Sequence, residues 1–260
     1  MKWIFINSGE QDGASNMDFD FYLAKNFNSN IPVLRIYRWN PYCISLGANQ
    51  SFDEIFIDKA KEDGIDVVKR PTGGRAILHS EELTYSVIFP VDQTSSAKNI
   101  YSEINIALRT GLIDFDPALN AIELEHNQPD FKEFYKSNIS AICFAVSAKS
   151  ELNLYGKKIV GSAQRKIGNV ILQHGSILCG DFHKRIIDYL SIDDSDKQSM
   201  LDEISSTTID LKSALKYDID YSKLTESILN GFEIRFNAKF KNLSNHKLLN
   251  TNKLETLLVS

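Results

Sequence analysis

Residues 151–178 constrain the fold more than any other stretch of this chain. Three strand-like runs, 151–155, 158–165 and 170–178, are joined only by the short turns Gly156-Lys157 and Ile167-Gly168-Asn169. Runs of alternating apolar residues with turns this short fold back on one another as an antiparallel meander. Any fold for this chain must therefore contain a sheet with antiparallel strands near its centre.

Around that meander the pattern is mixed. Residues 16–28 place Met17, Phe21, Ala24 and Phe27 at helical spacing, with Ser15 or Asn16 available as a cap. Residues 32–39 alternate, Leu34 and Ile36 against Val33, Arg35, Tyr37 and Trp39, which predicts a strand with one polar and aromatic face. Short strands are predicted at 43–47 and 66–70, a helix at 51–63 between them, a strand at 83–89 stopped by Pro90, and a helix at 97–112. Residues 114–140 are polar and irregular. Beyond Asp181 the pattern is helical, clearest at 221–235, with a last helix expected at 243–258. The whole reads as one α+β domain with a mixed, largely antiparallel sheet flanked by helices, residues 1–240 forming its body and 241–260 a helical tail of it.

The chain has 260 residues, enough to bury a full core, with 43% hydrophobic and 24% charged residues. It shows no apolar run of membrane-spanning length and no secretory signal pattern, so a soluble, cytoplasmic protein is expected, with no membrane partner. A formal charge of -5 argues against nucleic-acid binding, which needs a basic surface. Local cations still cluster at Lys69, Arg70 and Arg75, and at Lys157, Lys158, Arg165 and Lys166, where an acidic partner could dock; Arg165 and Lys166 read equally well as a solvated hairpin end. The three cysteines form no C-x-x-C pair, so neither a disulfide framework nor a metal site is expected. Standard nucleotide loops are missing.

Two glycine-marked segments carry the chemistry. Arg70-Pro71-Thr72-Gly73-Gly74-Arg75 leads to His79, and Lys158-Ile159-Val160-Gly161-Ser162-Ala163-Gln164 leads to His174-Gly175. Glycine, a cation and a histidine in close sequence suit an acyl carbonyl or a phosphate. Gly73 and Gly74 permit positive φ and close approach of a ligand, although a plain hairpin needs the same residues. Gly161-Ser162 weakens a strand unless something packs against it or a bulge forms. Lys158 either points into a cleft or belongs to a solvated turn, and His174 is either a base or a structural residue. Cys143 lies fifteen residues before Lys158 in an apolar context, where a buried thiol is unremarkable, as it is for Cys43 and Cys179. A thiol of pKa about 8.5 is a few per cent ionised at neutral pH, and a neighbouring cation such as Lys158 or His79 that lowered it to about 7 would make it half ionised.

These motifs, together with Asn16-Met17, Asp20, Arg35-x-Tyr37-x-Trp39, Ser45-Leu46-Gly47-x-Asn49-Gln50, Leu83-Thr84-Tyr85-Ser86 and Cys143-Phe144, run in order over about residues 16–178. In that order and spacing the chain resembles the lipoate and biotin protein ligase catalytic domain family, and within it the cysteine-dependent octanoyltransferase branch. The resemblance implies a tunnel for a medium-length acyl chain, lined by the glycine turn, Lys158 and His174-Gly175. It implies Cys143 as nucleophile and Lys158 as the group that orients or polarises the acyl carbonyl. Arg70, Thr72, Gly73, Gly74, Arg75, His79, Gly161, Ser162, His174 and Gly175 would hold substrate. The implied donor is octanoyl-acyl carrier protein and the implied acceptor a lipoyl domain, such as glycine cleavage H protein or an E2 subunit. No cofactor is needed. The competing branch, ATP-dependent lipoate ligation, would use ATP and magnesium, and it usually has a third glycine where this chain has Arg75. Two departures stand out: Ser80 follows His79 where the family usually has aspartate, and the loop after Cys143 lacks the usual aspartate and proline.

Overall fold

The computed structural model describes residues 1–92, 96–125 and 151–243. The chain begins with β1 (Lys2–Gln11), α1 (Gly13–Lys25), β2 (Val33–Trp39) and β3 (Cys43–Leu46). It continues through α2 (Ile57–Glu62), β4 (Asp66–Lys69), β5 (Ile77–His79), β6 (Glu82–Pro90), α3 (Ala97–Phe115) and β7 (Ile122–Leu124). The meander follows as β8 (Leu152–Leu154), β9 (Lys157–Ile167) and β10 (Val170–Leu178), and then α4 (Asp194–Thr207), α5 (Leu211–Leu215), α6 (Tyr221–Phe236) and β11 (Lys239–Leu243).

Among the described residues these strands form two sheets. The larger has the order β11-β1-β2-β6-β10-β9-β8-β7, and the smaller is β4-β3-β5. β1 runs parallel to both β11 and β2, whereas the pairs from β2 to β7 are antiparallel. The mixed, largely antiparallel α+β architecture is as expected. The turn between β8 and β9 is Tyr155-Gly156, both at positive φ (54° and 74°), which matches the twist of a tight hairpin.

Alternation decides what each face of the large sheet meets. Leu34 and Ile36 of β2, Leu83, Tyr85 and Val87 of β6, and Ile171 and Ile177 of β10 pack on α3 and α6 in the main core. The other face carries Arg35, Tyr37 and Trp39 of β2, Glu82, Thr84 and Ser86 of β6, and His174 and Ser176 of β10, brought side by side by the β2–β6 and β6–β10 registers. α1 covers part of that face through Leu23 and Ala24, with Phe27 just beyond its end, next to an apolar patch of Ile4, Ile6, Val33, Ile88 and Leu172. A satellite core joins the small sheet to α4 and to the 3-10 turns at Phe182–Tyr189.

Three local expectations differ. α1 starts at Gly13, because the Asp12 side chain accepts from the Ser15 amide and caps it, which frees Asn16 for the interior. The helix expected at 51–63 is a 3-10 turn, Phe52–Glu54, followed by α2, because Ile55 is drawn into an antiparallel bridge with Leu190. Residues 241–243, the start of the expected helical tail, are extended in β11, and the rest of that tail lies outside the described residues.

Candidate active site

Between the two sheets lies a narrow cleft whose space in this structure is about 20 Å³, close to that of one water molecule. Six of the sequence-predicted residues line it: Arg70, His79, Gly161, Ser162, His174 and Gly175. Both glycine-marked segments therefore face one space. Met17, Tyr37 and Trp39 add an apolar and aromatic wall.

The glycine turn is held from behind by Arg70, which is buried. Its Nη2 donates to the carbonyls of Gly73 (2.9 Å) and Arg75 (2.6 Å), its Nε to Gly73 (3.2 Å), and its Nη1 to the Ser45 carbonyl (2.8 Å) and hydroxyl (3.1 Å). A guanidinium whose donors are all spent on carbonyls and a hydroxyl fixes loop shape rather than offering charge to a ligand. Of the two glycines only Gly74 takes positive φ (95°), and its carbonyl lies 2.0 Å from where a Cβ on Gly47 would sit. Gly73 has open space around its Cβ position, so the left-handed geometry expected of both belongs to Gly74 alone. The Arg75 side chain turns away to Glu54 at 3.5 Å.

Beneath the cleft is a charged core built from the polar face of β2. Arg35 donates through Nη1 to Asp20 Oδ1 (2.8 Å) and to the Asn16 carbonyl, through Nη2 to Asn16 Oδ1 (2.7 Å), and through Nε to Ser8 (2.8 Å). Tyr37 donates its hydroxyl to Asp20 Oδ2 at 3.1 Å. Burial pushes the Asp20 carboxyl up, but Arg35 and His174 outweigh it and hold it below the usual carboxylate range. His174 faces Asp20 Oδ2 with Nδ1 at 3.4 Å and Thr72 Oγ1 with Nε2 at 2.6 Å. Burial lowers its pKa, which keeps the ring neutral at pH 7; a carboxylate can only accept, so Nδ1 carries the proton and Thr72 donates to Nε2. Thr72 thus reaches the site through His174.

His79 is placed by Ser45 and Trp39, which belong to the motifs above, and by Glu82, which the motif reading did not include. Its Nδ1 lies 2.9 Å from Glu82 Oε1, its Nε2 lies 2.8 Å from Ser45 Oγ, and its ring stacks on Trp39 with centroids 4.1 Å apart. Glu82 Oε1 also accepts from Thr84 (2.6 Å) and Ser176 (2.7 Å), and Trp39 Nε1 lies 3.2 Å from it. Its Oε2 is buried with no hydrogen-bond partner among the described residues, an omission that typically costs about 1–3 kcal/mol. Burial raises the Glu82 carboxyl, and His79, Thr84 and Ser176 more than reverse it.

Lys158 is 2% exposed and pairs with Glu151 at 2.9 Å, so it belongs to the interior and not to a solvated turn; it is not among the residues lining the cleft. Lys157 donates to the Ser205 carbonyl at 3.1 Å, and Arg165 bridges from the hairpin to the Pro71 carbonyl at 2.7 Å, tying the two glycine segments together at the rim. Cys143 lies outside the described residues. Cys43 and Cys179 are buried, as expected of structural thiols. Among the described residues no His, Cys, Asp and Glu cluster could hold a metal ion, and no helix is long and apolar enough to cross a membrane.

Gly161 and Gly175 explain each other. In the β9–β10 register Ser162 faces Gly175, and a Cβ on Gly175 would sit 2.3 Å from the Gly161 carbonyl and 2.9 Å from Tyr85 Cε1. β9 also slips register against β8 between Lys158 and Val160. The close approach is thus met at Gly175, against the Gly161 carbonyl, whereas the bulge falls at Ile159 and Gly161-Ser162 pair with β10 without a break. Gly175→Ala is expected to overpack this strand pair by about 1–3 kcal/mol, lowering the thermal midpoint by several degrees in differential scanning calorimetry.

A sequence model of the lipoyl protein ligase A/B catalytic domain matches residues 12–233. The chain is 33% identical over 246 residues to octanoyltransferase LipM of Clostridioides difficile, covering 92% of this chain and 89% of that protein. It is 35% identical over 251 residues to octanoyltransferase LipM of Staphylococcus aureus, covering 93% and 89%. In three dimensions it is similar to the bi-partite lipoate protein ligase of Thermoplasma acidophilum, with a TM-score of 0.75 at 19% identity over 100% of this chain and 91% of that one.

Proposed function

This chain belongs to the lipoyl protein ligase A/B catalytic domain family, and from that premise we propose that it takes an octanoyl group from acyl carrier protein onto Cys143 and passes it to a lysine of a lipoyl domain. It is an acyltransferase, an octanoyltransferase of lipoate biosynthesis. The observation that carries the mechanistic reading is the single cleft into which both glycine segments converge against an aromatic wall. That wall is apolar, as an alkyl chain requires, and the narrow cleft would have to open to admit one.

In the first step the Cys143 thiolate attacks the carrier thioester, the carbonyl carbon forms a bond to Sγ as its bond to the carrier sulfur breaks, and the carrier leaves as a thiolate that takes up the proton Cys143 released. In the second step the acceptor lysine, as a free amine, attacks the acyl-enzyme carbonyl, loses its proton and expels the Cys143 thiolate. Lys158 orients and polarises the acyl carbonyl, and the backbone near Gly74 and Gly161 shapes the site around it. His174, neutral and aimed by Asp20, holds Thr72 and so the entry to the glycine turn. Because a thioester is already activated, no cofactor takes part. A free catalytic thiol fits a reducing, cytoplasmic setting. The acceptor is a lipoyl-domain protein such as glycine cleavage H protein or an E2 subunit, and the rim cations Lys69, Arg165 and Lys166 are its acidic partner's contacts.

Intact mass spectrometry tests this. Mixing the protein with octanoyl-acyl carrier protein, without ATP, is expected to add one octanoyl group, which a lipoyl domain then removes. No adduct from the carrier, together with lipoyl-domain modification that requires ATP and free acid, would assign the ligase chemistry instead.

A further inference from the structure

We infer that Glu82 is the positioning residue of the acyl cleft, the carboxylate that fixes His79 in one tautomer and locks the Trp39–His79 wall in place. Its Oε1 accepts from His79 Nδ1, Thr84 Oγ1 and Ser176 Oγ, and Trp39 Nε1, whose hydrogen is shared with Thr84 Oγ1 at 2.7 Å, lies 3.2 Å from it. All four residues line the cleft, while Glu82 itself lies behind them and does not. One buried oxygen therefore sets the position of a whole wall.

The protons follow from the partners. A carboxylate only accepts, so His79 carries a hydrogen on Nδ1, and its Nε2 accepts from the Ser45 hydroxyl at 2.8 Å. Ser45 Oγ in turn accepts from Arg70 Nη1 at 3.1 Å, and the same guanidinium holds the Gly73 and Arg75 carbonyls. The chain of donors thus runs from Arg70 through Ser45 and His79 to Glu82 in one direction, and Arg70 also donates to the carbonyls of the glycine turn. Reversing the tautomer would face a ring lone pair toward the carboxylate.

This placement also answers the departure at Ser80. The position directly after His79 holds no acid, and the structure supplies the carboxylate three residues on, where the chain leaves the small sheet at β5 and enters the large one at β6. The ring is oriented from a different element, and it is oriented all the same. Second-layer partners of this kind commonly change activity tenfold to a hundredfold when removed.

Nitrogen-15 NMR of histidine-labelled wild-type protein, with His79 assigned by comparison with His79→Gln, is the first test. The His79 ring is expected to be protonated at Nδ1, and a ring protonated at Nε2 overturns the inference outright. Glu82→Gln, which keeps the shape but allows either tautomer, is expected to turn that signal into a mixture and to lower kcat for octanoyl transfer by about tenfold to a hundredfold in protein whose circular dichroism is unchanged. A tautomer shift without a rate change, or a rate change without a tautomer shift, overturns it. Should Glu82→Gln fail to fold, Glu82→Asp is read in the same way. The inference rests on the octanoyl-transfer reading for its rate measurement alone: absence of transfer in the wild type would count against that reading, while the wild-type tautomer would still decide this one.

Discussion

Cys143→Ala is expected to lower octanoyl transfer by about four orders of magnitude or more, with the acyl-enzyme mass gone and the unfolding curve unchanged. The size follows from the two-step scheme, in which the thiol is the attacking group in one step and the leaving group in the next. No other thiol among the described residues can substitute. Burial pushes the Cys43 thiol well above its ordinary value, with Asp66 and Glu82 adding to it, and burial does the same to Cys179, so neither presents a thiolate at neutral pH. Lys158→Ala should cost less, about 10²–10³, because it removes polarisation and leaves the nucleophile. It also takes from Glu151 an ammonium 2.9 Å away inside the protein, so its loss should appear in stability as well as in rate. Single-turnover kinetics separate the two variants. Cys143→Ala should form no adduct at all, whereas Lys158→Ala should form it slowly. Full adduct on Cys143→Ala would move the nucleophile elsewhere.

The sequence was readable where one face of a strand meets core and the other meets polar groups. Residues 32–39 alternate because Leu34 and Ile36 enter the main core while Arg35, Tyr37 and Trp39 turn toward the cleft. The same period runs through Glu82-Leu83-Thr84-Tyr85-Ser86, and it would have placed Glu82 on the cleft face had the strand been started one residue earlier. β1 was silent for the opposite reason: Trp3 to Ile6 are buried without interruption, between parallel neighbours on both sides, so no alternation marks them. β5, three residues long, is too short to show a period. Glycine segments and histidines announced the site by type, but their partners come from far along the chain. Asp20 and His174 meet across 154 positions because α1 packs on the polar face of the sheet, and Ser176 and Glu82 across 94 because the β6–β10 register brings them together. Composition and local spacing carry no record of such registers.

Asp20→Ala is expected to destabilise the fold by about 3–5 kcal/mol, a large part of the roughly 5–15 kcal/mol available to a typical domain, seen as a fall in the urea midpoint at constant slope. The Arg35 guanidinium is 1% exposed and lies between the rings of Phe19 and Tyr37, at 4.7 and 3.9 Å from their centroids, so it cannot swing out to water when its carboxylate is removed. Asn16 and Ser8 would still accept from it, but no negative charge would remain beside it. Replacing both partners with apolar residues, Asp20→Leu with Arg35→Met, should recover much of the loss, since two desolvated charges leave together. The cleft would then suffer separately, because His174 loses the acceptor at its Nδ1 and Tyr37 the acceptor for its hydroxyl. Acid gives the independent check. The folded Asp20 carboxyl is held below its unfolded value, so its contribution is complete above the ordinary carboxylate range near pH 4 and drains away as pH falls through the folded value. Glu82, lowered in the same sense, adds to that acid lability. The stability gap between wild type and Asp20→Asn should therefore narrow steadily below pH 4. A gap that stays constant into strong acid would mean that the ion pair contributes nothing and that the loss comes from packing around Arg35 alone.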